Sequence, residues 1–309
     1  MIDIDNIISK YTDKNIILAL SWGPDSIFLF ELLKKSKYKD KMIACHLNHM
    51  VRDEAQEDED FVRNLCEKNK VKFISKKIDI KKEMQEWPSV SFEEIARNKR
   101  YEFLRECKKE NNAEAIILWH HMDDRIETFF LNLSRGSKLS GLINMQEKSW
   151  DIIRPLLNLE KSEIIKYLDK MWIEYKIDKT NFDNNITRNF LRNEVIPNFF
   201  RINSRFKNNI STTLDYFSDL KTEIDKQVIE KIKDTYFEIN TFNGSSELIQ
   251  NEIIRYVYFI TNWNSTIWLS ASNIKEVKKF INWKNNKTKK QIKKMALFKD
   301  WNKIFFSSK

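Results

Sequence analysis

Ser21, Gly23, Asp25 and Ser26 fall together in Ser21-Trp22-Gly23-Pro24-Asp25-Ser26, directly after the apolar run NIILAL and directly before the helix-like DSIFLFELLKK. A strand that ends in small polar residues and opens a helix aims backbone N–H groups at a helix N-terminus, where anionic oxygens bind. Two hydroxyls and a carboxylate add to those donors. The set suits a pyrophosphate group, with Asp25 free to hold Mg²⁺, a hard cation that prefers carboxylate and phosphate oxygens. The lysine of a GxxxxGK[ST] loop is absent. The plain alternative is a helix cap by Ser21 or Asp25.

A second constellation is HHMDDRIET, in which His120 and His121 precede Asp123, Asp124 and Glu127. Acids in a first helical turn are ordinary partners of the helix dipole. Two histidines at the preceding strand end make the same residues a candidate site; a zinc site built from the four histidines is the lesser alternative, their spacings being irregular. His46 and His49, in HLNHMVRDEA, are the other two of the four histidines. Arg135 and Arg154, and the pair Arg188 and Arg192 one helical turn apart, suit phosphate groups; surface ion pairing is the alternative.

These residues need a frame. Runs at 15–21, 42–49, 72–78 and 113–119 read as strands, and the segments between them carry helical periodicity. Such alternation implies an α/β fold, a doubly wound parallel sheet with helices on both faces. Ligands of such sheets bind at the carboxyl ends of the strands. The three polar motifs follow the first, second and fourth strands, so they share one edge and define one site. Beyond Gly141 the pattern changes to a short extended piece and a helix, then a polar loop running into a helix that stops near Pro197. The expected division is a catalytic domain over 1–202, a helical linker over 203–234 and a smaller, basic α+β domain over 235–309.

Charge supports that division. Residues 201–309 hold 20 Lys and Arg against 11 Asp and Glu, while the first 200 residues are balanced. Within 275–309 there are 12 basic residues against Glu276 and Asp300. A basic segment on a neutral body points to a polyanion, nucleic acid first. Cys45, Cys66 and Cys107 show no metal or disulfide spacing. No apolar run reaches the roughly 18–20 residues of a membrane span, and the expectation is a cytoplasmic protein without a membrane partner.

Taken together, SWGPDS, HLNHMVRDEAQEDEDFV, SFEEIARNKRYEFL, HHMDDRIETFFLNLSRGSKLSGL, IIRPLL, DKTNFD and RNFLRNEVIP resemble the bacterial tRNA(Ile)-lysidine synthases of the N-type ATP-pyrophosphatase (PP-loop, HUP-like) superfamily. The resemblance runs in order from about residue 15 to 200. It implies that ATP adenylates the wobble cytidine of CAU-anticodon isoleucine tRNA at C2, releasing pyrophosphate, and that free L-lysine then displaces AMP to give lysidine. By the motif match, Ser21, Trp22, Gly23, Pro24, Asp25 and Ser26 would hold the pyrophosphate and Mg²⁺. Arg97 and His49 would face the nucleotide or the adenylated base. Asp123 and Asp124 would face cytidine, metal or the lysine ammonium. Glu127, Arg135, Arg154, Arg188 and Arg192 would serve the tRNA or its reacting end. Another PP-loop tRNA-modifying enzyme, or a tRNA-binding protein with an impaired ATP site, are the alternatives; a homodimer is left open.

The departure from the family pattern is Trp22, where glycine is expected because phosphate must approach the backbone closely. The chain has only 4 glycines and as many as 9 tryptophans, where a usage near 7% predicts about 20 glycines. Replacing Trp150, Trp263, Trp283 and Trp301 by glycine yields Ser-Gly, Asn-Gly, Asn-Gly and Asp-Gly turn dipeptides. Trp172 follows a helix, where glycine is usual. This is the pattern of a gene whose UGA codons mean glycine but are translated as tryptophan.

Overall fold

The structure is a computed structural model, and it describes residues 2–50, 55–87, 91–143, 145–177, 187–262 and 269–308. The chain divides into two compact units, Met1–Leu214 and Asp215–Lys309.

The first unit runs α1 (Ile4–Ser9), β1 (Ile16–Ala19), α2 (Pro24–Leu33), β2 (Met42–Asn48), α3 (Ala55–Lys68), β3 (Lys72–Lys77), α4 (Ile80–Glu86), α5 (Phe92–Glu110), β4 (Ala115–Ile117) and α6 (Met122–Ser134). It continues through α7 (Leu139–Leu142), β5 (Lys148–Ser149), β6 (Ile152–Ile153), α8 (Lys161–Lys170), α9 (Thr187–Phe190) and α10 (Ile196–Ile202) to the start of the long α11 (Phe206–Glu230), whose residues from Asp215 on belong to the second unit. The sheet order is β3-β2-β1-β4-β6-β5, parallel throughout except for β5. All four strands expected from sequence are present. The strand pair β5–β6, only two residues each, adds an edge.

Strand periodicity explains the layers. Ile16, Leu18 and Leu20 pack with α2, α3 and α8 on one face of the sheet. Ile17 and Ala19 point the other way, onto Phe103, Leu104 and Cys107 of α5. Every residue of β1 is buried, as a central parallel strand covered on both faces requires. The chain winds outward from β1 to β2 and β3, then returns to the other side of β1 at β4. The carboxyl ends of β1 and β4 therefore flank the topological switch point.

The helix expected to stop near Pro197 continues past it to Ile202, with a π-helical turn at Leu191–Val195 between α9 and α10. Proline has no N–H for the carbonyl one turn back, and a widened turn accommodates that loss.

The second unit holds β7 (Ile232–Lys233), β8 (Tyr236–Glu238), α12 (Ile239–Asn243), α13 (Glu247–Thr261), α14 (Ala271–Ile281), β9 (Thr288–Ile292), β10 (Met295–Asp300) and β11 (Lys303–Ser308). Its antiparallel sheet, ordered β7-β8-β11-β10-β9, buries Met295, Leu297, Ile304 and Phe306 with residues of α13 and α14. Lys299 is also buried; its ammonium donates to the carbonyl oxygens of Ile281 and Trp283 at the end of α14.

Eight described non-glycine residues have positive φ, and three of them are Trp150, Trp172 and Trp301, at 57°, 52° and 48°. Each such residue costs about 1–3 kcal/mol that glycine would not incur.

Candidate functional site: a carboxylate cluster at the switch point

The loop after β1 closes on itself. Ser26 Oγ donates to the Ser21 carbonyl at 2.6 Å and accepts the Ser21 N–H at 3.1 Å, while Ser21 Oγ accepts the Gly23 N–H at 3.3 Å. Pro24 occupies the first turn of α2, where a missing N–H costs nothing. Asp25 follows it, so a carboxylate stands beside the first-turn N–H groups that have no intrahelical acceptor. The Trp22 indole leans away onto α3, stacked on Phe61 with ring centroids 4.2 Å apart, and the Lys176 ammonium lies 5.1 Å from its ring centre. Its indole N–H is buried without a partner.

From the end of β4, His121 enters the same space. Its Nε2 lies 3.4 Å from Asp124 Oδ2 and 3.7 Å from Asp25 Oδ1, and its Nδ1 lies 3.5 Å from Asp123 Oδ2. Burial disfavours a charged imidazole here, but Asp124, Asp123 and Asp25 outweigh it and hold the pKa above the ordinary value. Burial likewise opposes ionisation of Asp123 and Asp124. The cations around them prevail, and both carboxyls sit well below the usual range.

Those cations come from distant parts of the chain. Lys161 Nζ lies 2.5 Å from Asp25 Oδ1, and the Lys161 backbone N–H donates to Asp123 Oδ2 at 2.8 Å, so Asp123 also caps α8. Lys207, at the start of α11, reaches Asp123 Oδ1 at 2.6 Å and Glu160 at 3.1 Å. Arg188 bridges Asp124 Oδ1 at 3.2 Å and Glu127 Oε2 at 2.7 Å. Arg192 binds Glu127 through two nitrogens, at 2.5 and 3.0 Å. Glu127 itself has no exposed surface.

A cavity of about 290 Å³ opens at the carboxyl ends of β1 and β2, walled by Ser21, His46, His49, Asp58, Arg100 and Trp119 among others. Its HLNH wall is fixed from within. His46 Nδ1 meets the Leu20 carbonyl at 2.9 Å, tying β2 to the loop after β1. Asn48 donates to the Ala55 carbonyl and to Glu59, which fixes the start of α3. Burial pushes His49 down to about 4 and His120 to about 3, so both are neutral at pH 7.

The structure thus gathers Asp25, Asp123, Asp124, Glu127, Arg188 and Arg192 in one cluster. His49 lines the adjoining cavity. Arg97 is exposed on α5 with its guanidinium 5.0 Å from the Tyr101 ring centre. It is Arg100, one turn on, that lines the cavity. Arg154 is buried after β6 and donates to the Gln146 carbonyl. Arg135 caps the far end of α6, about 20 Å along the helix from Met122. The DKTNFD segment and residues 51–54 lie outside the described residues. Lys161, Lys207 and Arg100 were not singled out in the sequence, where only the i, i+3 spacing of Arg97 and Arg100 offers a signal.

In the second unit, β8, β11 and β10 carry a ladder of rings on the sheet face opposite its core. Tyr236 and Phe305 are 5.3 Å apart by ring centroid, and Phe305 and Phe298 are 6.4 Å apart. Lys303 Nζ lies 4.5 Å from the Tyr236 ring centre, and Lys289 Nζ 5.9 Å from that of Phe298.

The family profile described as a PP-loop domain matches residues 1–199. The chain belongs to the PP-loop domain family. Among curated relatives, a tRNA(Ile)-lysidine synthase of Pseudothermotoga lettingae is 34% identical over 249 residues, covering 79% of this chain and 55% of that one. A tRNA(Ile)-lysidine synthase of Clostridium acetobutylicum is 29% identical, covering 94% and 65%. The chain spans about half the length of most of the curated relatives it matches. Among solved structures, the U34-tRNA thiolase NcsA of Methanococcus maripaludis aligns with a TM-score of 0.57 at 16% identity, over 69% of this chain and 76% of that one. That likeness extends the PP-loop assignment to the fold. No helix among the described residues is long and apolar enough to cross a membrane.

Proposed function

We propose that this PP-loop protein ligates free L-lysine to C2 of the wobble cytidine in CAU-anticodon isoleucine tRNA, consuming ATP and releasing AMP and pyrophosphate. The observation that carries the reading is the meeting of the loop after β1 with the HHMDD segment after β4 at the switch point, in a chain 34% identical to a lysidine synthase. The loop and the N-terminus of α2 suit the pyrophosphate group. The neighbouring cavity, with neutral His49 and the Arg100 cation on its wall, suits the nucleoside.

Mg²⁺ is commonly held by one or two carboxylates plus substrate phosphates rather than by a protein cage. Asp25 fits that mode. Among the described residues no group of three or more His, Cys, Asp or Glu is arranged as a cage of its own. When bound, the metal would neutralise charge developing on the leaving pyrophosphate. Lys161, now on Asp25, would pass to phosphate oxygens.

Asp123 and Asp124, ionised at neutral pH, suit the lysine α-ammonium and orient its free amine toward C2; positioning of this kind supplies much of the rate. As that amine forms the C–N bond, AMP leaves with the cytidine oxygen and the amine loses a proton. Arg188 and Arg192, aligned by Glu127, suit the phosphate of the adenylate. The basic second unit suits the tRNA backbone, and its ring ladder suits unpaired bases. Work on tRNA fits a cytoplasmic enzyme.

The test is exchange of labelled pyrophosphate into ATP by the purified chain. The reading expects exchange that requires CAU-anticodon tRNA and no lysine, because adenylation precedes the amine. Exchange that requires lysine and ignores tRNA would refute it.

A further inference from the structure

Tryptophan occupies backbone positions in this chain that are built for glycine. Trp172 directly follows the C-cap of α8. Its N–H donates to the Asp169 carbonyl at 3.1 Å and the Ile173 N–H to the Leu168 carbonyl at 3.0 Å. Those two bonds with φ at 52° make a Schellman motif, whose left-handed residue is usually glycine. The ring packs on nothing, being 95% exposed.

Two hairpins repeat the pattern. Lys148↔Ile153 and Ser149↔Ile152 pair around a two-residue loop that begins with Trp150. Asp300 pairs with Lys303 around a two-residue loop that begins with Trp301. Both first loop positions have positive φ, which such loops fill with glycine, asparagine or aspartate. Both rings are exposed, as are those of Trp87 and Trp283. Three of the seven described tryptophans are left-handed, against five of all other described non-glycine residues. Chance placement does not give that ratio, and a selected tryptophan would be buried or at a site.

The remaining two described tryptophans follow the carboxyl ends of β1 and β4. Trp22 is inside the phosphate loop with its indole N–H unsatisfied, and Trp119 fills one wall of the cavity under the Arg100 guanidinium. We propose that the tryptophans at 22, 119, 150, 172 and 301 are glycines in the protein as its own cell makes it, because UGA is read there as glycine. The phosphate loop then has two consecutive glycines, and the nucleoside cavity is larger by an indole. This inference does not rest on the lysidine reading, since it concerns backbone geometry and holds for any PP-loop nucleotide site.

The gene gives the first test: all five positions should be UGA codons, and UGG at 150, 172 and 301 would overturn the proposal. The full-length chain gives the second. Trp172→Gly and Trp301→Gly should each raise the thermal midpoint by a few degrees, while Trp172→Ala, which still carries a Cβ at positive φ, should not. Trp22→Gly should tighten ATP binding at least tenfold by calorimetry. Midpoints that fall with glycine, together with unchanged ATP affinity, would show that the tryptophans are native.

Discussion

Arg188 Nε donates to Glu127 Oε2 at 2.7 Å, and Glu127 is the one carboxylate of the cluster with no exposed surface at all. Its other oxygen takes Arg192, so one buried acid sets the direction of two guanidinium groups. Removing one partner of a buried ion pair costs about 3–5 kcal/mol because the remaining charge is left uncompensated. Arg188 keeps Asp124 and both guanidinium groups are about a third exposed, so Glu127→Gln should lower unfolding free energy by less than that, about 1–3 kcal/mol, in urea titration. It should also lower the rate of pyrophosphate exchange more than it weakens tRNA binding, whereas a purely structural loss would weaken both alike.

Asp25 sits at the helix end where pyrophosphate would bind, paired with Lys161 at 2.5 Å. Asp25→Asn keeps the shape and removes the charge. Pyrophosphate exchange should fall by a factor on the order of 100 or more, the loss seen when one electrostatic stabiliser is removed. Filter binding of tRNA should be unchanged.

Stability should depend on pH through His121. Its folded pKa is raised above 6.5, so protonation stabilises the fold below that value, and the stabilisation is lost as pH rises through the folded pKa. Asp123 and Asp124 act with the opposite sign. Their folded pKa values are lowered from 3.8, so their contribution is present above that value and is lost as pH falls through the folded values. His121→Asn should flatten the decline in thermal midpoint above pH 6.5 and, because the imidazolium helps hold Asp123 and Asp124 low, should also soften the acid limb.

Much of this arrangement was legible in the sequence because the first, second and fourth strands end in polar motifs. The strands expected at 15–21, 42–49, 72–78 and 113–119 appear at 16–19, 42–48, 72–77 and 115–117. β6 lies in the short extended piece expected before a helix, whereas β5 escaped because two residues carry no periodicity. The acids of the cluster were visible as a motif, but their partners were not. Lys161 and Lys207 reach Asp25 and Asp123 across 136 and 84 positions of sequence, and nothing local marks a lysine as the one that folds back. His46, one of the four histidines, and its neighbour Asn48 prove to be struts that hold the cavity wall.

On the second unit, the ring ladder and its lysines predict two separable effects. Phe298→Ala and Phe305→Ala should each weaken binding of a short single-stranded RNA by about 1–3 kcal/mol, the worth of one stacked base. Lys289→Glu with Lys303→Glu should instead make tRNA affinity less steeply dependent on salt, since fewer counterions are released. Fluorescence anisotropy at several salt concentrations distinguishes the two.

The cluster at the switch point is the proposed place where lysine is joined to tRNA. Mass analysis of nucleosides from CAU-anticodon isoleucine tRNA, after incubation with ATP, isotopically labelled lysine and the chain, tests this, with Trp22 present and with Trp22→Gly. The unmodified wobble cytidine should disappear and a labelled lysine adduct should appear at that one position, absent with Asp25→Asn. An unchanged cytidine in both forms, in the presence of demonstrated ATP and tRNA binding, would contradict it.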